Sequence, residues 1–249
     1  MRTIRLLLQY DGTEFVGWQR QDSGVSVQGV IEDALSKIEG GAVTLHGAGR
    51  TDAGVHAEGQ VASARLNSPL DDDTLARALN ANLPPAVRVV AVATVADDFH
   101  ARFSARAKTY EYRLWNGAAI PPFIRHYAWH VPQPLAVEVM QRAADALVGA
   151  HDFAAFQGTG STVHTTVRTV TSARWIDARP APGGRLLSFE MSGDGFLRHM
   201  VRAVTGTLVE IGLGRRPADD IPRLLAARER SEAGRTAPAC GLFLVRVEY

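Results

Sequence analysis

One stretch of the sequence combines the residue types that chemistry needs with an unusual backbone. Residues Gly47–His56 read GAGRTDAGVH, so three glycines surround a single carboxylate, that of Asp52. Glycine is typical of positions where a backbone turns sharply or comes close to a ligand. Apolar, strand-like segments flank the run, Val43–Leu45 before it and Val61–Leu66 after it. We therefore predict a loop that a β-sheet presents to solvent, which is a common setting for functional residues.

Within this loop, Arg50 and Asp52 are two positions apart, which places both side chains on the same side of an extended backbone. The neighbouring guanidinium would keep Asp52 ionised at neutral pH, as a carboxylate nucleophile requires. The alternative is that Asp52 is a turn residue that hydrogen-bonds to its own backbone, a frequent use of aspartate beside glycine. The residues alone favour the turn and leave the catalytic interpretation open.

The loop resembles the active-site motif of the tRNA pseudouridine synthase A family, whose members isomerise uridines in the anticodon stem-loop of tRNA. The match is unbroken from Gly47 to His56, and further motifs of the family follow in the family's order. These motifs are Tyr10–Thr13, Gly17–Gln21, Ser26–Gly29, Asp98–Ala105, Tyr110–Tyr112, Phe196–Arg202 and Gly206–Gly212. The resemblance covers nearly the whole chain, which is identified on these motifs as a member of the family.

The resemblance implies an isomerase that flips a uridine out of the tRNA stem, at tRNA positions 38, 39 and 40, and converts it to pseudouridine. A carboxylate suits this reaction because it can attack or electrostatically stabilise the electron-poor sugar or base and then leave. The residues are compatible with attack at C1′ of the ribose, attack at C6 of the uracil, or a glycal route that begins by deprotonation. The family needs no cofactor and no metal, and we expect neither here.

The resemblance also assigns roles to individual residues. Asp52 is the catalytic carboxylate, Arg50 helps to take the place of the extruded base, and Arg202 lies against the aspartate. Tyr110 stacks on the target uracil, and Phe196 lines the pocket. Without the resemblance, we would expect the two aromatic residues in the core. Arg50 would then form an ordinary ion pair within the loop, and Arg202 would be a surface residue of an amphipathic helix.

Contacts with the tRNA backbone are predicted for polar residues beside the family motifs, namely Arg20, Gln21, Arg102, Arg106 and Lys108. Each would otherwise be a solvated surface residue. Phosphate contacts of this kind position an RNA without reading its sequence. The segment Gly17–Gln21 is polar and follows a turn, so we expect it to face RNA rather than the core.

In the first half of the chain, the hydrophobic periodicity and the turn residues predict the order β-α-β-β-α-β. The predicted elements are a strand Ile4–Tyr10, a helix capped by Ser26 and ended by Gly40, strands Val43–His46 and Gly59–Leu66, a helix that begins at Asp71–Asp73 and ends before Pro84, and a strand Val87–Val95. This order is that of the ferredoxin-like split unit.

The second half follows the same plan. It comprises a strand Thr109–Trp115, a helix carrying Leu135–Leu147, strands Val167–Ile176 and Leu186–Met191 around a loop Asp177–Arg185, helices Leu197–Ile211 and Ile221–Ala227, and a strand Leu242–Tyr249. On the first of these last two helices, Arg198 and Arg202 would share a face. Gly158–Thr162 lacks a following GK[ST], so it is predicted to be a loop rather than a phosphate cradle.

We therefore predict an α+β fold of two ferredoxin-like βαββαβ halves. An N-terminal domain, 1–105, carries the catalytic loop, and a C-terminal domain, 106–249, completes the site. The resemblance implies that the antiparallel or mixed sheets of the two halves join side by side, with the active-site cleft between them.

The amino-acid composition constrains the function and location of the protein less than the motifs do. The formal net charge is +1, which alone does not indicate a nucleic-acid partner, although Lys37 and Lys108 are the only lysines and the other basic residues are arginines. The lone Cys240 fits a reducing cytoplasm, and the N-terminus is typical of a first strand rather than a signal peptide. No run is apolar enough to span a bilayer. The histidine spacing does not indicate a metal site, and the resemblance implies a homodimer that binds tRNA.

Two other functions fit parts of the sequence. A non-catalytic RNA-binding protein is compatible with paired ferredoxin-like sheets, but it would have no use for a carboxylate facing phosphate. A hydrolase with an aspartate nucleophile would need a second carboxylate or a metal nearby, and none falls in a matched motif.

Overall fold

The computed structural model describes residues 1–160 and 163–249, which form two compact units. The first unit contains Met1–Arg106 together with Phe243–Tyr249, and the second contains Ala107–Leu242. Each unit combines helices with a β-sheet, which confirms the predicted α+β class. Of the helices in these described ranges, none has the length and apolar character that a membrane crossing requires.

The elements of the first half are β1 (Arg2–Tyr10), α1 (Val27–Glu39), β2 (His46–Gly47), β3 (His56–Leu66), α2 (Asp72–Asn82) and β4 (Val87–Val95). Those of the second half are β5 (Ala107–Gly117), β6 (Trp129–Val131), α3 (Val137–Asp145), β7 (Gly149–Asp152), β8 (Val167–Ala181), β9 (Gly184–Gly193), α4 (Met200–Gly212), α5 (Asp220–Ala227) and β10 (Leu242–Glu248). Short 3₁₀ turns lie at Ala154–Phe156, Arg230–Glu232 and Ala239–Gly241.

The sheet of the first unit has β1 at its centre, antiparallel to both β3 and β4. The short β2 pairs with the other edge of β3, and β10 runs parallel to β3 where Phe243 lies opposite His56. The order β4-β1-β3-β2 with two helices is the predicted split unit. In the second unit, β5, β9, β8 and β7 form an antiparallel sheet, and β6 adds in parallel to β5.

The helix boundaries in the first unit follow from local chemistry. The Ser26 hydroxyl accepts a hydrogen bond from the Gly29 N–H at 3.2 Å, which satisfies one of the free donors at the start of α1. Gly40 closes the helix in a left-handed conformation with φ +74°. The Asp71 carboxylate caps α2 by accepting from the Thr74 N–H at 2.8 Å. The predicted start of α1 at Ser26, its end at Gly40 and the start of α2 at Asp71–Asp73 are confirmed, and the Asp71 cap itself is a finding of the structure.

The two faces of the first sheet are covered by different parts of the chain. Alternation along β1 places Ile4, Leu6 and Leu8 on one face, where all three are fully buried. The opposite face packs on the segment 97–104, since Ala101 joins an apolar cluster that includes Leu7. Because this segment occupies one face, the amphipathic α1 and α2 cover the other. The helices therefore leave the second face to loops and polar side chains.

Several predicted boundaries are wrong. The strand predicted at Val43–His46 is limited to His46–Gly47, because only these two residues pair with β3. The predicted loop Asp177–Arg185 is mostly strand, since β8 continues to Ala181 and β9 begins at Gly184. Polar and Pro residues interrupt the hydrophobic alternation of this segment. The local sequence pattern therefore does not reveal a long hairpin with a register shift. Ser161 and Thr162 of the predicted loop Gly158–Thr162 lie outside the described residues.

The start of α4 also differs from the prediction. His199 has φ +62°, in the left-handed region, so the helix begins at Met200 rather than near Leu197. Arg198 consequently precedes the helix, and the prediction that it shares a helical face with Arg202 is wrong. A tertiary contact accompanies this start: the His199 ring packs against Gly158, which has no side chain, and the Gly158 N–H donates to the Arg198 carbonyl at 2.8 Å.

We expect Gly206→Ala to destabilise the protein, although alanine normally stabilises a helix interior by up to about 1 kcal/mol relative to glycine. A Cβ at position 206 in α4 would overlap the Arg235 carbonyl oxygen, and such overpacking typically costs about 1–3 kcal/mol. The free energy of unfolding in urea measures the change. Gly41→Ala is the control, because a Cβ there meets nothing within 4 Å. Unfolding free energies that rise for Gly206→Ala would contradict the packing argument.

Candidate active site

The backbone around Asp52 is held by the segment that follows β1. Gly17 and Asp52 form an isolated antiparallel bridge, and the Trp18 N–H donates to the Thr51 carbonyl at 3.0 Å. The Val55 N–H donates to the Asp52 carbonyl at 3.1 Å and closes a turn in which Gly54 has φ +74°. Asp52 is thus a turn residue through its backbone, and these backbone contacts do not use its carboxylate.

The glycines of the motifs are explained by close packing. A Cβ at Gly47 would lie 2.5 Å from the Trp18 indole, and one at Gly17 would lie 2.7 Å from the Thr51 carbonyl oxygen. A Cβ at Gly12 would overlap the Val55 carbonyl oxygen. Three sequence motifs therefore fit together only because their contact points lack side chains.

The prediction that the whole segment Gly17–Gln21 faces RNA is wrong for its first two residues. Gly17 is buried, and Trp18 is only 2% exposed because the Asp52 loop packs on its indole. Arg20 and Gln21, by contrast, are exposed. The tertiary contact decides this, because the Trp18 indole packs against Gly47 at the start of the Asp52 loop even though the segment is polar and follows a turn.

Buried polar residues fix the loop from the sheet side. The Tyr10 hydroxyl lies 2.8 Å from the Thr51 hydroxyl, and Gln60 donates to the Gly49 carbonyl at 2.8 Å and to the Tyr10 oxygen at 3.4 Å. Burial raises the pKa of Tyr10 to about 12, so its phenol stays neutral and serves as a hydrogen-bonding group. Tyr10 lies in a matched family motif, but neither Tyr10 nor Gln60 is among the predicted site residues; a polar residue such as Gln60 inside an apolar strand is the signal that points to this role.

At the entry to β3, His56 completes the support of the loop. Its Nδ1 accepts from the Gly12 N–H at 3.0 Å and lies 3.2 Å from a carboxylate oxygen of Asp11. Its ring stacks on Phe243 with 4.7 Å between centroids. The last residue of the GAGRTDAGVH motif therefore has a structural role in holding the chain that leaves the loop.

The side chains of the loop differ in their exposure. Arg50 is exposed, Thr51 is buried, and Asp52 is half-buried. The loop thus carries a half-buried carboxylate and an exposed guanidinium on one turn, and their catalytic role stays a prediction. Within the described ranges, no group of three or more His, Cys, Asp or Glu side chains is arranged to hold a metal ion.

In the second unit, the structure brings the two predicted substrate-binding aromatic residues together. Tyr110 lies on β5 opposite Met191 of β9 and is 7% exposed. Its ring meets that of Phe196 edge to face, with 5.1 Å between centroids and an interplanar angle of 82°. This geometry is a favourable one for aromatic pairs and holds both rings in place. Phe196 remains half-buried.

The neighbouring Tyr112 has a different environment. It is fully buried, and its hydroxyl donates to the Pro238 carbonyl at 2.8 Å. Burial raises the pKa of Tyr112 well above its usual value, so this phenol is neutral and engaged in the core. Of the two tyrosines on this face of β5, Tyr110 is the one that contacts Phe196, an aromatic residue that is only half-buried.

Arg202 lies in the first turn of α4 and is half-buried. Its Nε donates to the Ala237 carbonyl at 2.8 Å, and its own carbonyl accepts from the Ala237 N–H at 3.1 Å. Ala237, in the segment before β10, is therefore hydrogen-bonded to both the backbone and the side chain of Arg202. Such a double contact orients a guanidinium that an exposed helix position would leave mobile.

The predicted RNA-contacting residues differ in their surroundings. Arg20 pairs with Asp33 at 3.0 Å and with Glu32 at 3.3 Å, and the hydrogen bond that Arg20 donates to Asp33 contributes most to raising the pKa of Arg20. The Gln21 side chain donates to the Val16 carbonyl at 3.1 Å. Both residues are exposed, but Arg20 already has two carboxylate partners with which a phosphate would have to compete.

The remaining three predicted RNA-contacting residues are Arg102, Arg106 and Lys108. Arg102 and Arg106 are exposed in the first unit, and the Arg102 guanidinium lies 5.7 Å from the centroid of the Phe103 ring. Lys108, in the second unit, is half-buried on β5 opposite Gly193. Arg102 is therefore the predicted residue that combines exposure with an aromatic neighbour.

Comparison with known proteins gives a consistent result. A family model described as tRNA pseudouridine synthase matches residues 7–104 and 143–249. The protein named tRNA pseudouridine synthase A of Acetivibrio thermocellus is 45% identical over 249 residues, covering 100% of both chains. Its namesake in Syntrophotalea carbinolica is also 45% identical, covering 100% of this chain and 97% of that protein.

Further matches extend the comparison. The tRNA pseudouridine synthase A of Moorella thermoacetica is 44% identical over 251 residues, again covering 100% of both chains. Among solved structures, a chain of a crystal structure titled as a Cbf5-Nop10-Gar1 complex matches with a TM-score of 0.37 at 14% identity, covering 97% of this chain and 48% of that one. The family model and the full-length relatives decide the matter: the chain belongs to the tRNA pseudouridine synthase family.

Proposed function

We propose that this protein converts uridines in the anticodon stem-loop of tRNA to pseudouridine, with Asp52 as the catalytic carboxylate. The observation that carries the proposal is the half-buried Asp52 side chain on a turn whose backbone is fixed on two sides. Relatives that are 45% identical over the full length bear the name of this activity. A carboxylate fits this reaction because it can attack or stabilise the electron-poor sugar or base and then leave.

In the proposed reaction, the C1′–N1 bond of the uridine breaks, the uracil rotates, and its C5 forms a bond to C1′. C5 then loses a proton and N1 gains one, so substrate and product contain the same atoms. Asp52 assists by attacking, or by stabilising, the electron-poor sugar or base during the exchange. A fixed turn favours this role because the carboxylate does not need to reorganise when charge develops.

The other predicted residues supply what the exchange needs from its surroundings. The exposed Arg50 guanidinium takes the place of the flipped base and offsets part of the cost of unstacking, a few kcal/mol. Tyr110, with its ring fixed against Phe196, gives the flipped uracil a π-face on which to stack. By the resemblance to the family, Arg202, whose guanidinium is oriented by Ala237, supplies positive charge to the reaction.

The tRNA backbone is held by Arg20, Gln21, Arg102, Arg106 and Lys108. The exposed arginines among them suit phosphate because a guanidinium forms bidentate hydrogen bonds. We further propose that the enzyme works in the cytoplasm as a homodimer and without a cofactor. The resemblance to the family supports these three statements.

We expect Asp52→Asn to abolish conversion while leaving tRNA binding intact. The amide has the shape of the carboxylate, so the turn remains, but it neither attacks nor carries charge. Conversion should fall by more than about a thousand-fold, as for other enzymes that lose a nucleophile. The measurement is pseudouridine mapping on an unmodified tRNA transcript with a uridine on the 3′ side of the anticodon stem, beside a binding titration of both proteins.

Asp73→Asn is the matched control, because Asp73 is an exposed carboxylate in the first turn of α2. It should convert at the wild-type rate. If wild type and Asp52→Asn both bind tRNA and neither converts it, a non-catalytic RNA-binding function takes precedence. Full activity of Asp52→Asn would remove Asp52 from the mechanism.

We expect Tyr110→Phe and Tyr110→Ala to separate two contributions of this residue. Phenylalanine keeps the π-face, so tRNA affinity should stay within about two-fold of wild type, while a lost proton-transfer group should slow conversion by about 10²–10⁴-fold. Alanine should also weaken binding, since base stacking contributes about 1–3 kcal/mol. Single-turnover rates and dissociation constants give the two quantities.

Tyr127→Phe provides the comparison, because Tyr127 is a tyrosine of the same unit that is 37% exposed. It should match wild type in both measurements. Equal rates for Tyr110→Phe and wild type would limit Tyr110 to stacking, and unchanged binding by Tyr110→Ala would exclude stacking.

A further inference from the structure

A second surface of the first unit lies outside the candidate active site. An open cavity of about 400 Å³ sits on the sheet face that α1 and α2 leave uncovered. Its lining includes Thr3, His46, Ser63, Arg65, Asp97 and His100. The size lies in the range of cavities that hold small ligands or single nucleotides.

Beside this cavity, three rings form a row, here called the His46–His100–Phe103 stack. The His46 and His100 rings have centroids 4.7 Å apart, and those of His100 and Phe103 are 4.4 Å apart, with tilts of 31° and 35°. Phe103, at the end of the row, is 77% exposed, and His46 is exposed at the other end. The row therefore presents aromatic surface to solvent on a sheet face.

The middle ring of the stack is fixed by the backbone. The N–H groups of Arg102 and Phe103 donate to the His100 Nδ1 at 3.1 and 3.4 Å, which requires that this nitrogen be an acceptor. Burial, with a smaller contribution from the His46 imidazole, lowers the pKa of His100 from its usual value. His100 is therefore neutral near pH 7 and serves as a flat, pre-oriented stacking surface.

Three arginines lie near the stack, together with two carboxylates. Arg5 lies opposite Ser63 in the sheet, Arg65 lies opposite Thr3, and Arg102 places its guanidinium 5.7 Å from the Phe103 ring centroid. All three are exposed, and in the described part of the chain none of them forms an ion pair. The carboxylates of Asp97 and Asp98 also line the cavity and offer hydrogen-bond acceptors beside the rings.

We propose that the His46–His100–Phe103 stack is a second RNA-binding site, which receives one unpaired nucleotide of the tRNA substrate. The base stacks on the rings, Arg5, Arg65 and Arg102 contact the flanking phosphates, and the acidic pair accepts from base amino groups or ribose hydroxyls. Exposed rings interleaved with arginines are the arrangement that single-stranded RNA prefers. The identity of the RNA as tRNA rests on the proposed function.

The stack adjoins the start of the Gly47–His56 loop, whereas Asp52 lies towards its other end. His46 lies opposite Ser63 on β3, whereas the loop rejoins β3 at His56, seven residues earlier. At about 3.3 Å per strand residue, the two places are roughly 20 Å apart along the strand. A nucleotide bound at the stack is therefore distinct from the uridine that reacts, and it adds affinity rather than chemistry.

The central test is the affinity of Phe103→Ala for an unmodified tRNA transcript, measured by fluorescence anisotropy. Loss of one stacked base should weaken binding about 5- to 100-fold. Phe103→Trp should bind within about two-fold of wild type, because the indole also stacks. Phe123→Ala is the matched control, since Phe123 is a phenylalanine that is 89% exposed in the other unit, and it should also bind like wild type.

Two further measurements distinguish stacking from a general loss of structure. Arg65→Gln should reduce the slope of log affinity against log salt by about 1, as expected for one phosphate contact. Phe103→Ala should raise KM for conversion and leave kcat at saturating tRNA unchanged. Thermal unfolding of Phe103→Ala should match wild type, because the side chain is mostly exposed.

The proposal is overturned if Phe103→Ala and His100→Ala both bind tRNA within about two-fold of wild type. It is also overturned if Phe103→Ala changes the mass of the RNA-free protein in light scattering, since the stack would then be a contact between copies. The proposed function is tested separately, by measuring pseudouridine formation alongside tRNA binding. Wild type that forms no pseudouridine, yet binds tRNA more tightly than Phe103→Ala, would contradict the enzyme and support the stack.

Discussion

The contact between the Asp52 loop and the segment after β1 is the constraint on which the first unit depends. The bridge between Gly17 and Asp52 joins two stretches that are distant in the sequence, and the Trp18 indole fills the space that Gly47 leaves. Tyr10 and Gln60 fasten the same loop from the sheet. A carboxylate on such a backbone keeps its position when charge develops near it, which is the condition for electrostatic catalysis.

The second unit uses the same principle with other residues. The Arg202 backbone and side chain both bond to Ala237, and Gly206, one turn further along α4, makes room for the Arg235 carbonyl. On β5, the edge-to-face contact with Phe196 fixes Tyr110. In each unit, a glycine permits the close approach of backbone, and the approach then orients a charged or aromatic side chain.

The division of the first sheet into two faces explains where binding surfaces can arise. One face is sealed by α1 and α2 over fully buried Ile4, Leu6 and Leu8. The other is covered only in part by the segment 97–104, so that arginines and the His46–His100–Phe103 stack reach solvent beside a cavity. The same segment thus completes the core with Ala101 and presents Phe103 outward.

The sequence by itself determined the α+β order, the caps Ser26 and Gly40, the start of α2 at Asp71–Asp73, and the GAGRTDAGVH loop, because each depends on neighbours within a few residues. Only the tertiary structure decided that Trp18 is core, that β2 has two residues, and that α4 begins after a left-handed His199. These features depend on partners far along the chain, such as Gly47, β3 and Gly158, which local patterns do not identify. The meeting of Tyr110 with Phe196, and of His46 with His100, is likewise set by sheet register and loop packing rather than by spacing in the sequence.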